Sequence, residues 1–470
     1  MRIVFAASEV YPYAKTGGLA DVVGALARAL VRAGHEVLVV APWYRTLRAD
    51  PPPLWIGDVD VPYDGGVEPA GVGTLEADGV RFAFVGHPDF ARDALYGYAD
   101  DVARFARFAR AVPPVAERVG LHPDVLHVHD WQAAFLLPVV AHGFHLPPGW
   151  PRVAGVLTIH NVQHQGVGDL DDVIHRLRLP RSVRASGLQH FGAANALQGG
   201  IAFATRVTTV SPTYADEITT PAHGFGLDGT LRHERGKLRG ILNGIDVDVW
   251  NPATDPHLAV RYDATDPSQK AANAATLRRE LGLDAGGPLL ATVSRFAEQK
   301  GIDLLLEAIP ALRAQGWRLA LLGAGDAPLE AAARAAADAD PGGVAVRVGV
   351  DEELAHRLYA GADAFAIPSR FEPCGLTQMI AMRYGTLPIA RATGGLRDTI
   401  RDGVTGRLFE AATAEALVAA AGDVRARLED GSADAMRATA MRERFDWGAS
   451  ADAYDAVYRE AHGASEREFT

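Results

Sequence analysis

The stretch RIVFAASEVYPYAKTGGLADVVGALARALVRAGHEVLVVAP, residues 2–42, decides the fold class. Its apolar runs RIVFAAS (2–8) and EVLVVAP (36–42) are too short for helices and are typical of buried strands. The part between them has, from Asp21 onward, the apolar spacing of an amphipathic helix. A strand, a helix and a second strand in this order predict two parallel strands joined by a crossover helix.

This alternation continues along the chain and starts afresh after the polar segment NGIDVDVWNPATDP, residues 243–256, which carries turn formers and two prolines. One stretch, residues 54–88, breaks the rhythm, and its Asp78-Gly79 pair between apolar runs predicts an inserted β-hairpin. We therefore predict an α/β protein of two Rossmann-like, doubly wound domains, residues 1–244 and 245–448. Ligands bind beyond the carboxyl ends of such strands, so two facing sheets would hold one in the cleft between them.

The composition excludes several classes of protein. The formal net charge of −12 argues against nucleic acid or an acidic membrane surface as partner. The single cysteine, Cys374, excludes an intramolecular disulfide framework and fits a reducing compartment. The sequence shows neither a signal-peptide pattern nor an apolar run near the length of a membrane span. We expect a cytoplasmic protein without a membrane anchor, and the oligomeric state stays open.

The turn between the first strand and its helix has the features of an anion site. Gly17 and Gly18 would let a ligand approach the unpaired N–H groups at the helix start, and Lys15 would add a cation. Asp21 has an alternative interpretation as a partner of the helix dipole, worth less than about 1 kcal/mol. Because the turn lacks the GxGxxG fingerprint, an ordinary glycine turn is an equally good interpretation.

The second half carries two loops of the same kind. In SRFAEQKG, residues 294–301, Arg295 and Lys300 follow a strand, and two cations there suit a diphosphate. A solvated charged loop explains them equally well.

The other loop is SRFEPCGLTQ, residues 369–378. We predict that its last residues form a helix start that offers N–H groups to a phosphate: Cys374, Gly375, Leu376 and Thr377. Glu372 is unfavourable beside a phosphate unless it binds something neutral, such as sugar hydroxyls, and we expect Arg370 to offset part of its charge.

Histidines also end strands. His160 and Asn161 follow the apolar run 153–159, and HDW, residues 129–131, ends another run, so we predict hydrogen bonds to a ligand from both places. His160 and His164 have a spacing that holds zinc on a helix, but they follow a strand and lack the glutamate of HExxH. We therefore expect no metal. The glycines of LLGAGD, residues 321–326, fit a tight strand-to-helix turn better than a dinucleotide site.

Eight motifs in this order closely resemble those of bacterial glycogen synthases and plant starch synthases: KTGGLADV (15–22), HDW (129–131), TIHN (158–161), TVSPTYADEI (209–218), GLDG (226–229), GILNGID (240–246), SRFAEQKG (294–301) and SRFEPCGLTQ (369–378). The resemblance implies the GT-B architecture and transfer of glucose, with retention, from ADP-glucose to the 4-hydroxyl of a growing α-1,4-glucan such as glycogen. It implies no cofactor and no required metal. It also implies that a final helix, within residues 449–470, returns to the N-terminal domain.

The resemblance assigns roles by position. Lys15 matches a lysine that binds the nucleotide sugar, Asp21 an aspartate near the transferred glucose, and His160 a histidine at the glucose 6-hydroxyl. The remaining roles are carried over as follows: Gly17 and Gly18 at the sugar phosphate, Arg295 and Lys300 at the leaving diphosphate, Glu372 as the carboxylate that orients the sugar, Cys374, Gly375, Leu376 and Thr377 at the phosphate, and Asn161 and Asn243 among the substrate-binding residues.

Three positions depart from related proteins. His164 stands where an aromatic residue is usual, and Asp100-Asp101 where Asp-Asn is usual, which puts glucan affinity and chain-length preference in doubt. Ile380 stands where many GT-B transferases have a second glutamate, but glycogen synthases also lack it.

Other functions on this fold stay open at this point. A nucleotide-sugar epimerase would isomerise the donor alone, and a non-catalytic glucan-binding protein would bind glucan without releasing ADP. A phosphorylase would need pyridoxal phosphate, for which no matching site is evident. The sequence also leaves ADP or UDP as the nucleotide undecided, and domain closure about residues 243–252 is a hypothesis.

Overall fold

The structure, a computed structural model, describes residues 1–142 and 144–468 of the 470-residue chain. These residues form two compact units. The first comprises Met1–Asn243 together with the C-terminal helix Trp447–Glu468, and the second comprises Gly244–Asp446. The division after Asn243 lies one residue from the boundary that the sequence predicts.

The first unit contains a nine-stranded sheet and a small three-stranded sheet. Its strands are β1 (Arg2–Ala6), β2 (Glu36–Pro42), β3 (Leu54–Tyr63), β4 (Gly66–Ala77), β5 (Val80–Gly86), β6 (Val125–His129), β7 (Ala154–Ile159), β8 (Val167–Gly168), β9 (Gln189–His190), β10 (Ala193–Asn195), β11 (Arg206–Thr209) and β12 (Leu238–Gly240). The large sheet has the order β12-β11-β7-β6-β1-β2-β5-β4-β3, and the small one β8-β10-β9. Pairing is parallel from β12 to β5 and antiparallel from β5 to β3.

The inserted hairpin is confirmed, with one addition. Asp78 and Gly79 have φ of 52° and 76° and join β4 to β5, as a tight hairpin turn requires. However, β5 also pairs in parallel with β2, so it belongs to the parallel sheet and only β3 and β4 extend it.

The helices of the first unit are α1 (Gly18–Arg32), α2 (Asp101–Val119), α3 (Asp130–Ala134), α4 (Leu136–His142), α5 (Leu170–Arg176), α6 (Ala196–Phe203), α7 (Pro212–Glu217) and α8 (Asp228–His233). Helix α1 begins at Gly18, three residues before the predicted start. The apolar stretch 131–142 does not form one continuous helix, since α3 and α4 are separate. Pro138 has no N–H to bond the carbonyl of Ala134, which explains the break.

The C-terminal helix packs on the core of the first unit. Trp447, Tyr454 and Tyr458 are buried in the same apolar cluster as β1 and α1. The hydroxyl of Tyr458 lies 2.9 Å from Nδ1 of His127, whose Nε2 lies 2.6 Å from Thr158 Oγ1. Buried hydrogen bonds therefore join this helix to strands β6 and β7, across more than 300 positions of sequence.

The second unit is a six-stranded parallel sheet of order β15-β14-β13-β16-β17-β18 with helices between the strands. Its strands are β13 (Leu289–Val293), β14 (Arg318–Gly323), β15 (Val344–Val348), β16 (Ala364–Ile367), β17 (Leu387–Arg391) and β18 (Arg407–Phe409). Its helices are α9 (Lys270–Leu281), α10 (Ile302–Ala314), α11 (Ala327–Ala339), α12 (Glu352–Gly361), α13 (Thr377–Arg383), α14 (Gly394–Thr399), α15 (Ala414–Asp430) and α16 (Ala433–Ala440).

The alternation of strands and helices that the sequence shows after residue 256 corresponds to β13–β17 and α10–α14, and it does not include α9, α15, α16 or β18. Helix α9 was hidden because it has no clear apolar stripe. Its buried face includes the polar residues Lys270 and Asn273, whose side chains hydrogen-bond backbone carbonyls. None of the helices in the described part of the chain has both the length and the apolar character needed to cross a membrane.

We expect Tyr458→Phe to lower the free energy of unfolding by about 1–2 kcal/mol, because it leaves the buried Nδ1 of His127 without a hydrogen-bond partner. Urea unfolding monitored by tryptophan fluorescence measures this change. Tyr44→Phe is the matched control, since the Tyr44 hydroxyl is buried in the same unit but has no hydrogen-bond partner among the described residues. Equal stabilities of the two variants would contradict the role of the Tyr458 hydroxyl.

Candidate active site

Most predicted site residues lie directly after the carboxyl ends of parallel strands. In the first unit they follow β1, β6 and β7, and in the second they follow β13 and β16. These ends share one edge of each sheet, where open α/β folds bind ligands.

A buried carboxylate that sequence reasoning missed organises the glycine turn after β1. Glu9, 3% exposed, accepts hydrogen bonds from the Thr16 hydroxyl at 2.7 Å and the Gly17 N–H at 3.2 Å, and another from the Thr16 N–H. The Tyr96 hydroxyl donates to the same carboxylate at 2.7 Å. The one available signal was an acidic residue just beyond the end of a buried strand.

The expectation of unpaired N–H groups in this turn needs one correction, at Gly17. Gly17 is the N-cap of α1, and its N–H already binds Glu9. Gly18 is the first residue of the helix. Lys15 is not a lone cation, because its Nζ donates to Asp21 Oδ1 at 2.8 Å in a partly exposed ion pair. The structure thus brings Lys15 and Asp21 together at the start of α1.

Three histidines form a buried column at the ends of β6 and β7. The rings of His127 and His129 lie 4.1 Å apart, and His129 Nδ1 lies 3.1 Å from His160 Nε2. Burial holds the pKa of His129 well below its usual value and lowers that of His160 to about 3. All three rings are therefore neutral near pH 7. Both ring nitrogens of His127 have hydrogen-bond partners, so it is a core histidine.

Burial also decides which nitrogens of this column carry hydrogen. His129 Nε2 is buried and has no hydrogen-bond partner among residues 1–142 and 144–468. A buried N–H without a partner is rarer and costlier than an unused acceptor, so the hydrogen of His129 resides on Nδ1 and is donated to His160 Nε2. His160 then carries its own hydrogen on Nδ1 and can donate it to a ligand oxygen.

Asp130 fixes the main chain beside these histidines. Its Oδ1 accepts from the N–H groups of His160 at 2.7 Å and Asn161 at 3.3 Å. Burial raises the pKa of this carboxyl to about 7, although the two backbone hydrogen bonds act in the opposite direction. Asp130 also adopts φ of 55°, an uncommon conformation for a residue other than glycine.

In the second unit, a close backbone contact brings the two predicted loops together. Gly301 has φ of 64°, and a Cβ at this position would lie 2.1 Å from the carbonyl oxygen of Pro368. The Arg370 N–H donates to the Gln299 carbonyl at 2.8 Å. Only glycine permits this approach, which places the loops after β13 and β16 side by side.

Lys300 and Glu372 meet where these loops touch. Lys300 Nζ lies 2.9 Å and 2.6 Å from the two carboxylate oxygens of Glu372. Ser369, which sequence reasoning did not select, donates to Glu372 Oε2 at 2.9 Å. The Glu372 side chain is 7% exposed and that of Lys300 is 21% exposed. The lysine therefore neutralises a buried carboxylate and still reaches the surface.

Arg370 does not offset the charge of Glu372, as the sequence led us to expect. Its guanidinium makes two hydrogen bonds of 2.7 Å to Asp303, which lower the pKa of that carboxyl. Lys300 provides the compensation instead. Arg295 is exposed, and its Nη2 donates to Gln299 Oε1 at 3.2 Å.

The helix predicted to begin at Cys374 begins at Thr377, with Leu376 as its N-cap. Gly375 has φ of 76°, and the Gln378 side chain donates to the carbonyls of Cys374 at 3.0 Å and Gly375 at 2.9 Å. Cys374 is buried. Cys374 and Gly375 therefore form a turn before α13 and are not part of the helix.

The remaining predicted residues are placed as follows. The Asn161 side chain accepts from the Gln163 N–H at 3.1 Å. Asn243 is 7% exposed, and its Oδ1 is buried without a hydrogen-bond partner in the described part of the chain. Within that same part, no three His, Cys, Asp or Glu side chains are grouped so that they could hold a metal ion.

Two of the departures from related proteins, Asp100-Asp101 and Ile380, have local structural roles. Asp100 pairs with Arg92, while Asp101 accepts from Arg104 Nε at 2.8 Å and the Gly97 N–H at 2.9 Å at the start of α2. Ile380 is 5% exposed and is a core residue of α13. Effects of these positions and of His164 on glucan binding stay predictions.

Comparison with known proteins identifies the family of this chain. A family model described as "Starch synthase catalytic domain" matches residues 2–233, and one described as "Glycosyl transferases group 1" matches residues 273–439. A protein named glycogen synthase from Deinococcus radiodurans is 47% identical over 98% of this chain and 100% of its own length. The chain belongs to the glycogen and starch synthase family. A glycogen synthase of Thermus thermophilus is 45% identical over 98% of this chain and all of its own.

Solved structures confirm the fold prediction for this family member. The catalytic domain of starch synthase IV from Arabidopsis thaliana, bound to ADP and acarbose, matches with a TM-score of 0.91 and 34% identity over 98% of this chain and 99% of that chain. A sucrose-phosphate synthase from Thermosynechococcus elongatus matches with a TM-score of 0.63 at 20% identity, which shows the fold alone. The chain is a glycosyltransferase with two Rossmann-like domains of the GT-B class.

We expect His160 to be the Nδ1–H tautomer at neutral pH. Two-bond ¹H–¹⁵N spectra of the histidine-labelled protein measure this directly. His129→Leu removes the donor that fixes the tautomer and should mix the two forms, whereas His129→Asn keeps an N–H near the original Nδ1 and should preserve it. An Nε2–H tautomer of His160 in the unmodified protein would contradict the assignment.

Asp130→Asn should alter how stability depends on pH. Between about pH 4 and pH 7, the unfolded chain loses the Asp130 proton while the folded protein keeps it, so the carboxyl destabilises the fold progressively as pH rises. Asparagine does not titrate, tolerates the positive φ and retains an acceptor oxygen. The variant should therefore gain about 2–4 kcal/mol relative to the parent across this range in urea unfolding. A difference independent of pH would show that Asp130 has an ordinary pKa.

Proposed function

We propose that the protein is an ADP-glucose-dependent glycogen synthase, which transfers glucose with retention to the non-reducing 4-hydroxyl of an α-1,4-glucan. The similarity to glycogen synthases spans almost the whole chain, and the ADP-bound starch synthase has the same fold at 34% identity. The observation that carries the proposal is the Lys300–Glu372 pair, because it offers a cation to a diphosphate and a fixed carboxylate to a sugar side by side.

Lys300 would act on the leaving group. As the bond from the anomeric carbon to ADP breaks, negative charge grows on the diphosphate, so a cation already in place stabilises the transition state more than the ground state. Lys300 is held by Glu372 and needs little reorganisation. Arg295, on the same loop after β13, would add a second cation.

Glu372 would orient the sugar. A carboxylate accepts about four hydrogen bonds. Lys300 and Ser369 use three of these positions, two on Oε2 and one on Oε1. One position on Oε1 is left for a neutral donor such as a sugar hydroxyl. This count resolves the apparent conflict of an acidic residue beside a phosphate site.

The first unit would contribute neutral groups and one ion pair. His160 would donate from Nδ1 to a sugar hydroxyl, with Asn161 beside it on the same loop. Lys15, still paired with Asp21, would present its charge to the nucleotide sugar, while the main chain at Gly17 and Gly18 would approach the sugar phosphate. Asn243 would offer its unused Oδ1 to a substrate donor.

We propose that transfer needs no metal, because Arg295 and Lys300 supply positive charge at the diphosphate. Rates unchanged by EDTA would support this, and restoration of lost activity by Mg²⁺ would contradict it. Asp21, the carboxylate assigned near the glucose, is tied to Lys15 and is a poor nucleophile in that state. We therefore favour attack of the acceptor on the same face, guided by the departing phosphate, over a double displacement. A cytoplasmic location and the absence of nucleic-acid partners stay predictions.

One assay separates this proposal from its rivals. ADP-glucose and UDP-glucose are each incubated with and without glycogen, and nucleotide release and glucan elongation are measured. We expect ADP release that depends on glycogen. Isomerised donor without acceptor would indicate an epimerase, and glycogen binding without nucleotide release would indicate a non-catalytic binding protein.

Lys300→Ala should lower kcat by about 10²–10³-fold through lost stabilisation of the leaving diphosphate. Lys237→Ala is a matched control, because Lys237 forms an ion pair of 3.0 Å with Glu234 on another part of the surface. Undiminished turnover of Lys300→Ala, or an equal loss in the control, would exclude the assigned role.

Glu372→Gln should reduce kcat strongly while ADP affinity falls less, because this residue is assigned to the sugar and not to the nucleotide. Isothermal titration with ADP and steady-state kinetics give the two quantities. A selective loss of ADP affinity would move Glu372 from the sugar to the nucleotide.

A further inference from the structure

A cavity of about 360 Å³ on the second unit lies outside the candidate active site. It is lined by residues from 245–247, by 441–446 and by the end of α13. The Ile245 N–H donates to the Phe445 carbonyl at 2.7 Å, which joins the first two segments. The apolar part of the wall consists of Ile245, Val247, Ala264, Met441 and Phe445.

The charged part of the wall is not internally balanced. It contains three arginines and two acidic residues, Arg383, Arg442, Arg444, Glu443 and Asp446. Both carboxylates are engaged by other arginines. Glu443 pairs with Arg401, which does not line the cavity, and Asp446 lies 3.3 Å from Arg444. Across residues 1–142 and 144–468, neither Arg383 nor Arg442 has a carboxylate within ion-pair distance.

Arg383 is the more unusual of the two. Its Nε is buried and has no hydrogen-bond partner in the described structure. A buried charged donor left unpaired is costly, so native proteins usually supply a partner. The position in the last turn of α13 favours a cation through the helix dipole. That effect explains the charge but leaves the forked donors of the guanidinium unused.

We propose that this cavity binds a small organic phosphomonoester, with Arg383 and Arg442 on the phosphate and the apolar wall on the organic group. A phosphomonoester carries nearly two negative charges at neutral pH, which matches two unpaired arginines better than a single carboxylate does. The guanidinium fork fits phosphate oxygens in pairs. The volume is within the usual range for small-molecule sites. This site is separate from Lys300 and Glu372 and does not depend on the proposed reaction.

Isothermal titration of the full chain with glucose 1-phosphate, AMP and inorganic phosphate tests the proposal. Each titration is repeated in the Lys300→Ala background, which removes a cation from the candidate active site. We expect one of the two organic phosphates to bind, in both backgrounds, more tightly than inorganic phosphate. Arg383→Gln should weaken that binding by about tenfold or more, and Arg442→Gln by about three- to tenfold.

Arg347→Gln is the matched control, because Arg347 is an exposed arginine on β15 of the same unit and does not line the cavity. The Arg347→Gln variant should bind the preferred organic phosphate with the same affinity as the parent protein. Circular dichroism and the melting temperature establish that the Arg383 variant is folded, and Arg442→Gln, at an exposed position, gives a second test. Three results would overturn the proposal. The affinities could be unchanged in both cavity variants, or binding could be lost in the Lys300→Ala background. Alternatively, inorganic phosphate could bind as tightly as both organic phosphates.

Discussion

The chemistry of the second unit depends on the contact between Lys300 and a buried carboxylate, Glu372. Removing a carboxylate from water is costly unless a counter-charge and hydrogen bonds replace the lost solvation. Lys300 and Ser369 provide both, and the close approach of Gly301 to Pro368 brings the two loops near enough for them to do so. Lys300, which neutralises Glu372, also remains partly exposed to solvent, where a ligand could contact it.

The first unit also contains polar side chains that are buried without charge. Its column of His127, His129 and His160 is buried in the neutral state. The Nε2 of His129, which has no partner in the described part of the chain, sets the direction of the hydrogen bond between His129 and His160. Neutral donors of fixed direction suit recognition of uncharged hydroxyls. Charged pairs suit a diphosphate. The proposed roles, sugar hydroxyls for the histidine column and a diphosphate for the charged pair, follow from these two electrostatic environments.

The sequence predicts the alternation of strands and helices well because parallel sheets have continuous apolar strands and short connections. It also selects Lys15, His160, Lys300 and Glu372, since each follows the end of a recognisable strand, whereas the role of Asp21 comes from the family resemblance. It cannot show that Lys15 pairs with Asp21, or that Lys300 and not Arg370 compensates Glu372. Those pairings depend on side chains that lie 6 and 72 positions apart and on turns whose geometry only the folded chain defines. The sequence does not identify Glu9 and Ser369 for the same reason, because their partners are backbone groups or side chains of neighbouring loops.

A crystal structure of the protein with ADP tests the central claim most directly. The account predicts the diphosphate within hydrogen-bonding distance of Lys300 Nζ, while Glu372 remains in contact with Ser369 and free of phosphate. A diphosphate bound away from the loops after β13 and β16, or one that displaces Glu372 from its buried position, would contradict it.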